Sequence, residues 1–292
     1  MTGKPSPSSI SATAKSPAVD SAQANSSPAD PKRVTTRTLA KMRADGVKIS
    51  MLTAYDFPTA KLLDEAGIDI LLVGDSLAMV VQGHSTTLPV TLDQMIYHAE
   101  MVGRAARRAM VLVDLPFPEG QLSIERTLIA SSRILKETHC HAVKLEGGAE
   151  QSERIAALAT AGIPVMAHVG LRPQNIHVDG GYSVQRDEQK LLHDAQAAEK
   201  AGAFAVLIEC VPSAIAKKIT ESIRIPTIGI GAGPSTSGQV LVTNDLIGLT
   251  SGYLPRFVTQ IANVSETIRQ SATTYRDAVQ NGSFPESKHE FK

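Results

Sequence analysis

Charged side chains follow several short apolar runs in this chain, close to the point where each run ends. Asp75 comes after the run 70–73, Asp114 after 110–113, and Glu146 ends a run that also contains Lys144. A charge at the end of a buried strand is costly to desolvate unless it is paired or bound to a metal. The repetition therefore indicates one functional rim rather than a set of unrelated helix caps.

The acidic residues of this rim have the chemistry of a magnesium site. Asp75, Asp114 and Glu146 come from three successive runs and provide only oxygen ligands, which Mg²⁺ prefers together with water and substrate oxygens. The alternative for any one of them is an ion pair with Lys144 or a helix cap. Because acids flank Lys144, it should keep its proton and bind a substrate carboxylate rather than act as a nucleophile.

Two further residues end later runs and suit proton transfer. Glu209 is expected to lie apart from the acidic cluster, on the opposite side of the ring that the strands would form. There it would move a proton to or from bound substrate. His168 could orient a substrate oxygen or relay a proton, and a structural hydrogen bond is an open alternative. The cluster His139–His141 resembles a metal site, but it precedes a strand and is interpreted as structural.

Eight apolar runs of strand length, separated by amphipathic segments of helix length, position these residues. Such alternation predicts a parallel sheet covered by helices, and eight units favour a closed (β/α)8 TIM barrel, of the α/β class, over an open sheet. In such barrels the active site lies at the C-terminal ends of the strands. A short helix is predicted near 237–242, and the predicted strands are Ile49–Ala54, Asp69–Val73, Met110–Val113, Ala142–Leu145, Ile163–Ala167, Phe204–Ile208, Pro226–Ile230 and Asp245–Leu249.

The composition favours an enzyme that acts on small molecules. Lys plus Arg equals Asp plus Glu, at 29 each, so no net charge favours nucleic acid or a membrane surface. No apolar run has the length of a membrane span. Cys140 and Cys210 form no CxxC pair, which indicates a reducing compartment and no thiolate zinc site.

The first 33 residues differ from the rest of the chain. Residues 1–33 are rich in Ser, Ala and Pro and are predicted to be a disordered tail, whereas residues 34–292 are predicted to form one catalytic barrel domain. Asp20 and Asp30, and the lack of Arg before Arg33, count against a mitochondrial transit peptide. A cytoplasmic location is therefore expected.

In this order, the motifs at the run ends resemble those of the 3-methyl-2-oxobutanoate hydroxymethyltransferase (ketopantoate hydroxymethyltransferase) family of pantothenate biosynthesis. The resemblance begins near Lys48 and continues to the C-terminus. It rests on the segments 53–56, 73–77, 87–91, 114–117, 143–148, 168–171, 173–174, 209–212, 228–233 and 282–285.

The resemblance implies a full set of site residues. Asp75 and Asp114 would hold Mg²⁺, with Glu146 in or close to its coordination shell, and Glu209 would be the proton acceptor. The substrate 3-methyl-2-oxobutanoate would contact Asp75, Ser76, Asp114 and Lys144, and we add His168 as a candidate. The family also implies a homodecamer of two pentamers and 5,10-methylenetetrahydrofolate as the one-carbon donor.

The implied reaction agrees with the chemistry of the residues. A 2-oxo acid can chelate Mg²⁺, and the metal stabilises the enolate that forms when a base removes the proton at C3. The enolate attacks the methylene carbon of the folate, and hydrolysis leaves the hydroxymethyl group of 2-dehydropantoate.

Two alternatives remain open at this point. The first is a Mg²⁺-dependent lyase or mutase of a related 2-oxo-acid barrel, although such lyases use a cysteine in a strand-end loop and no Lys-Cys-Gly-like loop is present. The second is a catalytically silent barrel. Its signature would be the segment 180–188, which is shorter than the Gly-rich stretch that the family has at this place.

Overall fold

A computed structural model describes residues 32–250, 252 and 254–292. Eight parallel strands pair in sequence order and close into a barrel, as the sequence predicts. Residues 1–31 of the predicted tail lie outside the described residues, so the division into tail and domain stays a prediction. The strands are β1 (Ile49–Thr53), β2 (Ile70–Val73), β3 (Met110–Asp114), β4 (Ala142–Glu146), β5 (Val165–Gly170), β6 (Ala205–Glu209), β7 (Thr227–Ile230) and β8 (Gly238–Leu241).

Helices follow most of the strands, and several of them begin at a residue whose side chain caps the first turn. Thr91 and Gln94 form a capping box, and the Asp187 side chain accepts a hydrogen bond from the Lys190 amide. The helices are α1 (Thr36–Ala44), α2 (Phe57–Glu65), α3 (Leu77–Val80), α4 (Leu92–Ala105), α5 (Ile124–Glu137), α6 (Ser152–Thr160), α7 (Ile176–Asp179), α8 (Glu188–Lys200), α9 (Ser213–Ser222), α10 (Thr243–Leu246) and α11 (Val264–Gln280). Three 3₁₀ helices span Ala149–Gln151, Pro173–Asn175 and Ser287–His289.

The strands separate two buried apolar layers because successive side chains point to opposite faces of the sheet. The barrel interior contains at least one residue from each strand, such as Met51, Leu112 and Met166, and α1 contributes Leu39. The outer layer contains the alternate residues, such as Val111 and Val143, packed against the helices. This alternation decides which side chains reach the interior at the C-terminal rim.

The eighth strand is not where the sequence predicts it. Residues 238–241 form β8 and pair with β1 and β7, whereas the predicted strand Asp245–Leu249 overlaps α10 and its C-terminal turn. The predicted helix near 237–242 is wrong for the same reason. Gly238 lowers the strand propensity of this segment, but a β-carbon there would collide with the carbonyl of Ile49 on β1. Close packing of the two strands overrides local propensity.

In the part of the chain that the structure describes, no helix has both the length and the apolar character needed to cross a membrane.

Candidate active site

The strand alternation brings five charged or titratable side chains together inside the C-terminal rim. Each is two or four residues beyond an apolar residue of the interior layer, so each points to the same side of its strand. Register then sets the neighbours: Asp114 pairs with Lys144 across β3 and β4, and Glu146 pairs with His168 across β4 and β5. The five are Asp114, Lys144, Glu146, His168 and Glu209.

Four of these side chains form a continuous line of close contacts. Lys144 Nζ lies 3.1 Å from Asp114 Oδ1 and 3.1 Å from His168 Nδ1. His168 Nε2 lies 3.2 Å from Glu209 Oε2. The expectation that Glu209 stands across the ring from the cluster is therefore wrong, because β5 and β6 are neighbours and the imidazole joins Glu209 to Lys144.

Lys144 is a buried ammonium group. Burial alone lowers its pKa, but the charges of Asp114, Glu146 and Asp75 act in the opposite direction, and the net effect raises the pKa above its ordinary value. The lysine therefore keeps its proton, as expected from its flanking acids. An amine held in this state supplies a fixed positive charge and is a poor nucleophile.

His168 is a neutral imidazole in this setting. Burial, followed by the charge of Lys144, holds its pKa well below the usual range. Because the Lys144 ammonium can only donate, Nδ1 of His168 accepts, and the ring proton is on Nε2, which faces Glu209. Both ring nitrogens thus lie against groups of the chain itself, so the geometry favours the relay role over direct substrate contact.

Glu209 has the properties of a general base. Burial raises the pKa of its carboxyl group to about 7, although the charge of Lys144 opposes the rise. Its side chain keeps 17% of its surface exposed, whereas His168 keeps 2%. A carboxylate with a pKa near neutrality and a partly exposed side chain can take a proton from a bound molecule.

Asp75 and Glu146 complete the acidic cluster, and Gln174 contacts both. Gln174 Nε2 donates to Asp75 Oδ2 at 2.9 Å, and the Gln174 backbone amide donates to Glu146 Oε2 at 3.1 Å. Burial and the charge of Asp114 raise the pKa of Asp75 to about 7. Burial and the charge of Asp75 raise the pKa of Glu146 well above its ordinary value. The barrel interior thus has an excess of acidic groups.

This cluster fits a divalent cation. Glu146 Oε1 is a buried atom with no hydrogen bond among the described residues. Lys144, which pairs with Asp114 Oδ1, is a single ammonium beside three carboxylates. Over 32–250, 252 and 254–292, no three His, Cys, Asp or Glu side chains are already arranged to hold a metal alone. Mg²⁺ requires only one or two carboxylates, with water and substrate oxygens as the other ligands.

Ser76 and Tyr55 lie beside the acidic cluster, whereas Asp56 does not act there. The Tyr55 hydroxyl lies 2.8 Å from Ser76 Oγ, and burial raises the Tyr55 pKa, with the charges of Asp114 and Asp75 adding to the rise. Asp56, an acid at the end of the first predicted strand, caps α2 by accepting from the Thr59 amide at 2.8 Å. Asp56 is therefore a helix cap and not a member of the acidic cluster.

The sequence prediction missed Gln174 and Tyr55 as site residues. Both are uncharged, so a search for desolvated charges at strand ends does not select them. The available signal was position, because Tyr55 follows β1 and Gln174 follows β5, each within a short distance of the rim. The His139–His141 cluster is structural, as predicted: His141 Nδ1 accepts from the Val111 amide at 3.0 Å, away from the rim.

These features define a class: a (β/α)8-barrel enzyme whose acidic and basic side chains meet inside the C-terminal rim. Residues 33–287 match the family model of ketopantoate hydroxymethyltransferase. The 3-methyl-2-oxobutanoate hydroxymethyltransferase of Rhodopirellula baltica is 66% identical over 260 residues, 89% of this chain and 97% of the relative. The enzyme of that name from Desulforapulum autotrophicum is 55% identical over 260 residues, 89% of this chain and 99% of its own.

The chain therefore belongs to the ketopantoate hydroxymethyltransferase family. This finding confirms the resemblance inferred from the motifs and the prediction of a hydroxymethyltransferase.

Solved structures with low sequence identity share the barrel. Phosphoenolpyruvate phosphomutase from Streptomyces platensis has a TM-score of 0.60 at 15% identity, covering 88% of this chain and 92% of its own. A phosphonopyruvate hydrolase in complex with oxalate and Mg²⁺ has a TM-score of 0.57 at 14% identity, covering 87% and 92%. At these identities the likeness concerns the fold alone.

Proposed function

We propose that the chain transfers a hydroxymethyl group from 5,10-methylenetetrahydrofolate to 3-methyl-2-oxobutanoate, giving 2-dehydropantoate for pantothenate biosynthesis. The observation that carries this proposal is Glu209, a carboxyl group with a pKa of about 7 that lies against His168 beside the acidic cluster. It is the group best suited to remove the C3 proton of the 2-oxo acid. The names of the relatives support the choice of substrate.

The side chains have separate tasks in this proposal. Glu209 takes the C3 proton, and His168, fixed as its Nε2–H tautomer by Lys144, orients the carboxylate for that step. Lys144 provides positive charge for the carboxylate of the substrate. Asp75, Ser76 and Asp114 are the other side chains that would contact the substrate. The Ser76 hydroxyl is held by Tyr55 and can contact an oxygen of the substrate.

Asp75 and Asp114 would hold Mg²⁺, with Glu146 in or close to its shell. The two aspartates are adjacent, since the Asp75 backbone amide donates to Asp114 Oδ2 at 3.0 Å. When bound, Mg²⁺ supplies positive charge that offsets the negative charge developing on the keto oxygen as the proton leaves. The buried Oε1 of Glu146, which has no hydrogen-bond partner among the described residues, and the excess of carboxylates over ammonium groups support this assignment.

The folate donor would approach from the open side of the rim. Phe117 follows β3 and Tyr182 follows α7, and their side chains are 42% and 49% exposed. The Tyr182 pKa is raised by partial burial and then by the charges of Asp75, Glu209 and others, so this loop lies near the site despite its shortness. Exposed aromatic side chains at the mouth suit the flat pteridine ring of the donor.

The function is tested by proton exchange followed by NMR. With Mg²⁺ in D₂O, the protein should exchange the C3 proton of 3-methyl-2-oxobutanoate, and added methylenetetrahydrofolate should yield 2-dehydropantoate. A chelator should abolish both reactions. If the protein neither exchanges the proton nor forms product, the proposed function is wrong, whereas exchange that resists the chelator contradicts only the metal assignment.

The metal assignment gives a separate prediction. Asp75→Asn and Asp114→Asn should each raise the Mg²⁺ dissociation constant about 100-fold or more, because the affinity of carboxylate sites depends on the charge of their ligands. Titration calorimetry measures this directly. Asp93→Asn, which changes an exposed aspartate of α4, is the matched control and should bind as wild type does. Unchanged affinity in both site variants would contradict the assignment.

A homo-oligomer, which the resemblance implies to be a decamer, forms part of the proposal. The amphipathic helix α11 has no buried residue, and Ile268 and Tyr275 on it are 53% and 60% exposed. An apolar groove on the outer face of β1 and β8, with Leu52 and Leu241 in its lining, is open. Both surfaces support packing against other copies of the chain.

The assembly is tested by light scattering on the eluted protein. The variant Ile268→Asp/Tyr275→Asp should have a much lower mass than wild type, because two charges cannot be buried in an apolar contact without a partner. Thr273→Asp, at a different angle around the same helix, should leave the mass unchanged. A monomeric wild-type protein would contradict the proposal.

Cysteine chemistry favours the transferase over the lyase alternative. Cys140 and Cys210 are both free. Burial and the charge of Glu209 raise the pKa of Cys210 to about 12, so this thiol, the only one near the rim, is a poor nucleophile for the lyase alternative.

A further inference from the structure

Gln174 lies among the carboxylates of the rim although it carries no charge. Gln174 is buried, with 6% of its surface exposed. Nε2 donates to Asp75 Oδ2 at 2.9 Å and to the Leu115 carbonyl at 3.0 Å, so both amide protons are used. Its backbone amide donates to Glu146 Oε2 at 3.1 Å. Gln174, a single residue in the segment after β5, therefore contacts one group that follows β2, one that follows β3 and one that ends β4.

The orientation of the Gln174 amide is fixed by its surroundings. The Leu115 carbonyl can only accept, so the NH₂ group must face it, and the same group reaches Asp75 Oδ2. On the other side, Gln121 Nε2 donates to Gln174 Oε1 at 2.7 Å. The amide is thus held at both ends and has no freedom to flip.

We infer that Gln174 is a positioning residue for the cation site, an inference that rests on the proposed function. It engages one oxygen of Asp75 and one of Glu146 with donors alone, so each carboxylate is restrained while its second oxygen stays uncommitted to Gln174. Glu146 Oε1 is indeed a buried atom without a partner among the described residues. Restraining ligands before binding reduces the ordering cost of holding the cation, and hydrogen bonds to ligands commonly tune metal affinity.

A purely structural role for Gln174 makes a different prediction. If its hydrogen bonds served only to join strand-end loops, their loss would lower the free energy of unfolding of the metal-free protein and leave cation affinity unchanged. If Gln174 positions the ligands, affinity falls, and the exchange rate recovers toward wild type at saturating Mg²⁺, because Glu209 and His168 are not contacted by Gln174.

The experiment is a calorimetric titration of Mg²⁺ into the full-length protein without substrate, with urea unfolding in chelator as a second measurement. Gln174→Met keeps the length of the side chain and removes its donors, and the Mg²⁺ dissociation constant should rise about 10- to 100-fold. Gln121→Met leaves Gln174 in place but releases its amide, so a smaller rise is expected. Gln189→Met, an exposed glutamine of α8, is the control and should not change affinity.

The outcomes separate this inference from the proposed function. If wild type binds Mg²⁺ and the Gln174 and Gln121 variants bind it equally well, the inference is wrong and the metal assignment stands. If wild type binds no Mg²⁺, both are wrong. Should Gln174→Met fail to fold, the Gln121→Met affinity decides: a raised dissociation constant supports the inference, and an unchanged one overturns it.

Discussion

Replacing Glu209 by glutamine should slow exchange of the C3 proton by about 10²- to 10⁴-fold, the usual contribution of a positioned general base. Glutamine keeps the shape of the side chain and its place beside His168, but it cannot accept a proton from carbon. The measurement is the NMR exchange rate in D₂O at saturating Mg²⁺ and 3-methyl-2-oxobutanoate. Glu153→Gln, an exposed glutamate of α6, is the matched control and should exchange at the wild-type rate.

The pH dependence of wild type provides an independent check on the same residue. Since burial raises the Glu209 pKa to about 7, the carboxyl group is mostly protonated below that pH and cannot act as the base. The exchange rate at low substrate concentration should therefore fall about tenfold per pH unit below neutrality and reach a plateau above it. A rate that stays constant down to the ordinary glutamate pKa would contradict the assignment.

Loss of activity in Glu209→Gln should not result from unfolding. The folded-state pKa is raised above the ordinary value of 4.5, so the folded protein favours the protonated group, and wild type loses stability as pH rises from about 4.5 to 7. Glutamine resembles the neutral form and avoids this loss. At neutral pH or above, the variant should therefore be at least as stable as wild type, and a marked decrease in stability would indicate a structural role.

The sequence predicted the barrel and its charged rim because both depend on short-range patterns. Side chains alternate between the two faces of a strand, so residues two or four positions apart point to the same side. Asp114, Lys144 and Glu146 therefore point inward, because apolar residues two or four positions before them on β3 and β4 do so. The eighth strand was misplaced because its identity depends on close packing of Gly238 against β1, nearly 190 positions away in the chain (238 minus 49 is 189). The strand propensity of the segment gives no information about that contact.

The contacts between the side chains of the site could not be predicted, for a related reason. That Glu209 meets Lys144 through His168 follows from the register of β5 and β6 and the size of an imidazole ring. The contacts of Gln174 depend on a 3₁₀ helix that turns its side chain back toward Asp75. Charged residues at strand ends can be recognised in a sequence because burial makes them need partners. A neutral partner such as Gln174 can be recognised only from its three-dimensional contacts.

Replacing Lys144 by methionine should lower the free energy of unfolding by about 3–5 kcal/mol in the presence of chelator, because it leaves buried carboxylates without their ammonium partner. The side chain is 5% exposed, and its Nζ lies 3.1 Å from Asp114 Oδ1, so solvent cannot replace the lost charge. Urea unfolding near neutral pH measures the effect. Lys190→Met, an exposed lysine of α8, is the control and should change stability little.

The size of this loss should depend on pH and on Mg²⁺ in defined directions. Asp75 and Glu146 already have folded-state pKa values above their ordinary ones, and removing Lys144 raises them further. Groups raised in this way reduce stability as pH rises from the ordinary pKa to the folded one, so the variant should be least impaired below the ordinary values of 3.8 for Asp75 and 4.5 for Glu146. Mg²⁺ should restore part of the stability near neutral pH, since it neutralises the same carboxylates.

A double variant distinguishes lost charge pairing from lost packing. Lys144→Met/Asp114→Asn removes both members of the closest pair, and it should be more stable than Lys144→Met alone because one fewer carboxylate is buried without a partner. If the double variant is instead less stable by the full sum of the two single changes, the pair is not coupled. The ammonium would then act only through its packing, and its proposed role as the fixed charge for the substrate carboxylate would lose its physical basis.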